Sequence, residues 1–172
     1  GCLAAAEQAT ALDASVAAAW HYQGLALERM GKLTESKRRF QKAHALDSST
    51  FSLPAQWDDL DWSSLLEEAV RRLPHPLKPF YEDLPVRWDV FPAVEDLLEN
   101  YPPLSPFTDA LYRGNRPAEA DPWAHRPQNI TLFTGNLCRP SVDPEAITQR
   151  IKEALVHEAY HWLGTAENTE RH

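Results

Sequence analysis

His157-Glu158-Ala159-Tyr160-His161, continued by Gly164 and Glu167, reads H-E-x-x-H-x-x-G-x-x-E. On a helix, residues four apart stand about 40° apart around the axis and share one face. The two histidines therefore point the same way and can hold one zinc ion through neutral imidazole nitrogens. Glu158 is then placed to act on a water that such a metal activates. A chain of this composition carries H-E-x-x-H by chance about 2% of the time. Requiring Gly at 164 and an acid at 167 lowers that to roughly one in ten thousand, so the extended pattern carries the argument. The bland alternative is a solvated helix with two incidental histidines.

The flanks of the motif predict the helix that it needs. Asp143 is a good N-cap, and Pro144 suits the first helical position. Glu145 complements the positive end of the helix dipole, and Gly164 offers a C-terminal stop. Between them Ile147, Ile151, Leu155 and Trp162 form one apolar stripe, with Glu158 in the middle of it. A carboxylate in that position is costly unless something pairs with it.

The segment resembles the zincin-like metallopeptidases, in particular a small bacterial family built around H-E-x-x-H-x-x-G-x-x-D. The similarity runs from about Trp62 to Glu170. It includes Leu65-Leu66-Glu67-Glu68-Ala69, Leu84-Pro85-Val86, Leu111-Tyr112-Arg113-Gly114 and Ile130-Thr131-Leu132-Phe133. The resemblance implies a compact α+β domain, with a small sheet and a metal-bearing helix near its C-terminal end. It implies His157 and His161 as two zinc ligands, Glu167 as the third, and Glu158 as general base and later proton donor. Glu170 and His172 are alternative third ligands. A protein or peptide is the implied substrate. Tyr112, Arg113 and His125 are candidates for an oxyanion donor. The chain departs from the pattern in carrying Glu167 for Asp, and Tyr160 and Trp162 for differently shaped residues. Its single methionine is Met30, so no Met-turn comes after the motif.

Residues 1–50 are rich in Ala and helix formers. Ala9, Leu12 and Asp13 recur as Ala43, Leu46 and Asp47, at a spacing of 34. That pattern resembles tetratricopeptide repeats. Trp20, Gly24, Leu27, Phe40 and Ala43 fall at that family's packing positions, and Gly31 at its turn; Gln23 and Ser36 depart from it. An ordinary helical hairpin is the alternative. About three repeats are normally needed for stability. The expectation is that more repeats lie upstream, or that these helices pack on the catalytic part of the chain. They would serve to recruit a substrate or a protein partner.

Domain organisation is thus expected as helical repeats over 1–50, a linker over 51–61 and a zincin-like domain over 62–172. Within the last, Asp61 caps a helix over Trp62–Leu73 with Leu65, Leu66, Ala69, Val70 and Leu73 on one face. Pro74 and Pro76 end it. Next in order are a helical turn over Leu77–Asp83, a half-buried strand over Leu84–Phe91 and a turn of helix over Ala93–Asn100. Tyr101–Gln128 shows few signals of regular structure. Asn129–Thr134 reads as a strand closed by a Gly135-Asn136 turn. It is the candidate for the edge strand that holds extended substrate in zincins; an ordinary core strand is the alternative.

A net charge of -8 argues against a nucleic-acid surface. No run of about 18 apolar residues suggests a membrane span. Cys2 and Cys138 form neither a disulfide framework nor a CxxC site. These features and the lack of a visible signal peptide lead to the expectation of a reducing, cytoplasmic setting. Competing functions are a repeat-based binding module whose zincin domain is inactive or structural, and a metal hydrolase acting on non-peptide bonds.

Overall fold

The computed structural model describes residues 1–54, 59–99, 103–114 and 127–163. The chain divides into two compact units, Gly1–Ala55 and Gln56–His172.

The first unit holds three helices, α1 (Cys2–Leu12), α2 (Ala17–Arg29) and α3 (Leu33–Leu46). Helix α2 packs against both α1 and α3. Gly24 lets α3 approach closely: a Cβ there would stand 2.7 Å from the Phe40 ring. Gly31 makes the turn between α2 and α3 with φ +73°, a conformation that costs glycine least. The two residues that depart from the repeat pattern are both buried and both satisfied. Gln23 Nε2 donates to the Ala6 carbonyl at 3.0 Å and to Thr10 Oγ1 at 2.8 Å. Ser36 Oγ donates to the Gly24 carbonyl at 2.8 Å. Each ties two helices together, which is how a polar group in a helix interface avoids a desolvation cost.

The second unit is mixed α and β. Asp61 caps α4 (Trp62–Arg71), accepting from the Ser64 N–H at 3.2 Å. A 3-10 turn over His75–Leu77 and the short α5 (Lys78–Tyr81) come next, then β1 (Val86–Asp89) and α6 (Val94–Leu98). Strand β1 alternates as expected, Val86 and Trp88 half-buried, Arg87 and Asp89 exposed. Beyond it lie β2 (Ala110–Arg113), β3 (Asn129–Phe133) and α7 (Thr134–Leu137). The last element is α8 (Pro144–Leu163), which carries the motif. The core lies where α8 packs against α4 and β2. Leu65, Ala69, Leu73, Ile130, Leu132, Ile147, Ile151 and Leu155 are all buried in it.

The sheet corrects the assignment of the edge strand. Its order is β1-β3-β2, with β1 parallel and β2 antiparallel to β3. Strand β3 is central and buried at all five positions, so both of its edges are already paired. Among the described residues the edge of the sheet beside α8 belongs to β2, inside the stretch expected to lack regular structure. Four residues between prolines and Gly114 are too few to show a period. Gly135-Asn136 also departs from the expected turn: the chain enters the buried helical turn α7 instead. There Gly135 N–H donates to the Val90 carbonyl at 2.9 Å. A Cβ at Gly135 would overlap the Phe91 ring and stand 2.8 Å from the Val90 oxygen.

Gly135→Ala is therefore expected to destabilise the fold by about 1–3 kcal/mol, the range for overpacking against atoms that cannot retreat. Urea denaturation monitored by tryptophan fluorescence checks this. A midpoint equal to the parent's would mean that Phe91 and the end of β1 yield without cost.

Candidate active site

Helix α8 begins as its sequence requires: Asp143 Oδ2 accepts from the Ala146 N–H at 2.9 Å. Arg72, at the C-terminal cap of α4, pairs with Glu145 in the first turn, Nη2 to Oε2 at 2.9 Å. The buried residues of α8 then set its rotation. Ile147, Thr148, Ile151, Leu155, Ala159, Trp162 and Leu163 are buried, and they span an arc of about 160° counted from Ile147. On that wheel Glu158 falls about 20° inside the margin, while His161 and His157 fall about 40° and 80° outside it. Observed burial agrees: both histidines are exposed and Glu158 is half-buried. Glu158 thus sits at the border of the apolar stripe rather than in its middle, where core and histidine face meet.

The imidazoles of His157 and His161 are neighbours, with ring centroids 4.9 Å apart. Two exposed, adjacent imidazoles on one helix face suit a zinc ion, which takes neutral nitrogen ligands. Among the described residues no third ligating side chain joins them. Gly164, Glu167, Glu170 and His172 lie outside the described residues, as does His125.

Glu158 reaches the sheet. Its Oε2 accepts from the backbone N–H of Tyr112 at 3.2 Å. In β2 the Asp109 and Arg113 carbonyls face β3, accepting from Phe133 N–H at 2.9 Å and Gln128 N–H at 2.8 Å. Antiparallel alternation therefore turns the Tyr112 N–H to the free edge. Burial pushes the Glu158 carboxyl up to about 7; the Tyr112 amide and the charge of His157 oppose that rise.

A cleft of about 320 Å³ opens beside this pair, between Phe107–Ala110 and the α8 residues Glu153, Ala154, His157 and Glu158. Its outer wall is braced. Asn136 Nδ2 donates to the Pro106 carbonyl at 3.1 Å and the Thr108 carbonyl at 2.6 Å. Arg150 Nη2 reaches both Asp109 oxygens, at 2.7 and 2.6 Å. The Arg139 guanidinium lies 5.5 Å from the Phe107 ring centre. Asn136, Asp109 and Arg150 support the site without any sequence signal that marks them, because their partners are 28 to 41 residues distant.

Of the residues considered as oxyanion donors, Tyr112 and Arg113 are committed elsewhere. The Tyr112 hydroxyl bonds to that of Tyr81, and the Arg113 guanidinium pairs with Asp96. What Tyr112 offers the site is its backbone N–H.

The raised Glu158 carboxyl has a thermodynamic consequence in EDTA-treated protein. Its ordinary value is 4.5 and its folded value about 7. The folded state therefore binds the proton more tightly than the unfolded one. That contribution to stability is complete below about pH 4.5 and is lost as pH rises through about 7. Glu158→Gln, neutral at every pH, should match the parent near pH 4.5 and exceed it increasingly towards pH 8. Urea unfolding free energies across this range test the sign; a difference independent of pH would refute the shift.

Residues 81–170 match the family model described as zincin-like metallopeptidase. No curated protein and no solved structure matches the chain. Among the described residues no helix is long and apolar enough to cross a membrane. The family match spans more than half of the sequence and covers α8, β2 and β3 together, and the chain belongs to the zincin-like metallopeptidase family.

Proposed function

We propose that the chain is a zinc peptidase in which His157, His161 and Glu167 hold the metal and Glu158 is the general base. The supporting observation is the place of Glu158: half-buried, bonded to the free edge of β2, and bordering both the histidine face and the cleft. Bound there, zinc would lower the pKa of a water to about 7 and polarise the scissile carbonyl. Glu158 would serve as the base that takes a proton from the attacking water. From its half-buried place beside the cleft Glu158 would then return the proton to the leaving amine.

The peptide would lie along the free edge of β2, the mode in which an extended chain adds to a sheet. Strand β2 takes the role that the sequence suggested for Asn129–Thr134. One substrate side chain would enter the cleft between Phe107 and Ala154. In the same reading the 34-residue match marks α1, α2 and α3 as tetratricopeptide-type helices that recruit a substrate or protein partner. The alternative is a binding module whose zincin domain is inactive or structural, and the general-base variant separates the two.

Zinc-replete protein should carry about one zinc per chain, and His157→Ala or His161→Ala should lose most of it. Glu167→Ala should lose most as well, Glu167→Asp only part, and Glu170→Ala or His172→Ala little. Glu158→Gln should keep zinc and fold while losing about 10²-fold or more of the hydrolysis of fluorescent casein. Elemental analysis and the casein assay decide the matter. Zinc-free protein that stays so on titration would sink the metal site. Full activity of Glu158→Gln would sink the general-base role.

A further inference from the structure

One buried tyrosine and one half-buried tyrosine remain unused by this mechanism. Tyr81, on α5, is 7% exposed, and its hydroxyl meets both the Leu155 carbonyl of α8 and the hydroxyl of Tyr112 on β2. The direction of these bonds comes from counting protons. A carbonyl only accepts, so the single Tyr81 proton goes to Leu155. Tyr112 must then donate to Tyr81. The chain of bonds runs one way, from Tyr112 through Tyr81 to Leu155.

Its two ends lie close together on α8. Tyr112 is bonded at its backbone to Glu158 and at its side-chain tip, through Tyr81, to Leu155. Those two positions are three residues apart, about one helical turn. The ring between is packed edge-on against Trp162, centroids 5.8 Å apart, and against Phe80 at 5.9 Å. Sliding β2 along α8 would break the amide bond and the hydroxyl chain together.

We propose that Tyr81 and Tyr112 are positioning residues that hold the Tyr112 amide, and through it the Glu158 carboxylate, in one place on α8. The proposal rests on the peptidase reading only for its kinetic arm. It also predicts an asymmetry that independent packing roles would not produce. Tyr112→Phe removes one donor and leaves the Tyr81 proton satisfied. Tyr81→Phe removes the acceptor of a half-buried hydroxyl and leaves the Tyr112 proton without the partner it has here, which is the costlier loss. Removing both hydroxyls leaves no orphaned donor, so the double variant should be no worse than Tyr81→Phe.

The test uses the full chain in two arms. In EDTA-treated protein, the Tyr112 amide should exchange slowly and resonate downfield in 15N-resolved NMR spectra, and Glu158→Ala should move it upfield. Tyr81→Phe should speed its exchange by about tenfold, roughly the loss of one hydrogen bond, and Tyr112→Phe should do so less. In zinc-loaded protein assayed with fluorescent casein well below the unfolding temperature, Tyr81→Phe should lower kcat by about tenfold with KM within about twofold. Ile147→Val, a core change at the far end of α8, should keep kcat and so account for any effect of lost stability alone.

Additive losses in the double variant would overturn the proposal. So would an unmoved Tyr112 amide in Tyr81→Phe, or a loss confined to KM. If even the parent cleaves nothing while the amide responds as described, the positional coupling is upheld and the peptidase reading is what fails.

Discussion

The rotation of α8 about its own axis is the constraint on which the site depends. Ile147, Ile151, Leu155 and Ala159 are wholly buried, and Trp162 nearly so. Burying each large apolar side chain is worth about 1.5–3 kcal/mol. Turning the helix by one residue, about 100°, would expose much of that arc and bury the histidine face. No polar contact in the site is strong enough to compete with such a loss. Core packing therefore decides that His157 and His161 face outward and that Glu158 stops at the border. The metal-binding face is what the hydrophobic face leaves over.

Strand β2 is held by different means. Four residues paired on one edge would be marginal without further support. Polar links to α8 supply it: Asp109 to Arg150 at its start, Tyr112 to Glu158 at the backbone, and the two tyrosine hydroxyls beyond. Asn136 of α7 adds a clamp on the preceding loop. Half-buried ion pairs of this kind contribute little to stability in general, because desolvation offsets attraction. Their effect here is on register. They leave β2 only one position over the helix, and that position brings its free edge to Glu158.

This division explains what was legible in the sequence. Caps and apolar stripes act over a few residues, so Asp61, Asp143 and the arc of α8 could be read directly. The alternation in β1 was equally local. What could not be read was set at long range. Asn129–Thr134 reads equally as an edge strand or a core strand, and only its pairing with both β1 and β2 makes it the central, buried one. Gly135-Asn136 has the composition of a turn, but glycine is there for close approach to Phe91 and Val90, and asparagine for two carbonyls some 30 residues upstream. In the helical unit, Gln23 and Ser36 read as flaws in a repeat; each is a buried bond between helices. The three motif residues of α8 were visible because their spacing is helical. Their supports from β2 were not.

Trp162 shows how a departure from the family pattern can belong to the site's architecture. It lies one position past His161, about 100° further around the helix and inside the buried arc. Its indole is 8% exposed and meets the Tyr112 ring edge-on. A smaller residue there would leave a void against the ring that carries the Glu158-binding amide, and a void in a packed core is only partly closed by relaxation. Tyr112 would then lose one of the two rings packed against it, and its backbone would be free to tilt. The large side chain at 162 and the long polar one at 112 are therefore matched: the indole fixes the ring, the ring fixes the strand, and the strand presents its N–H to the carboxylate.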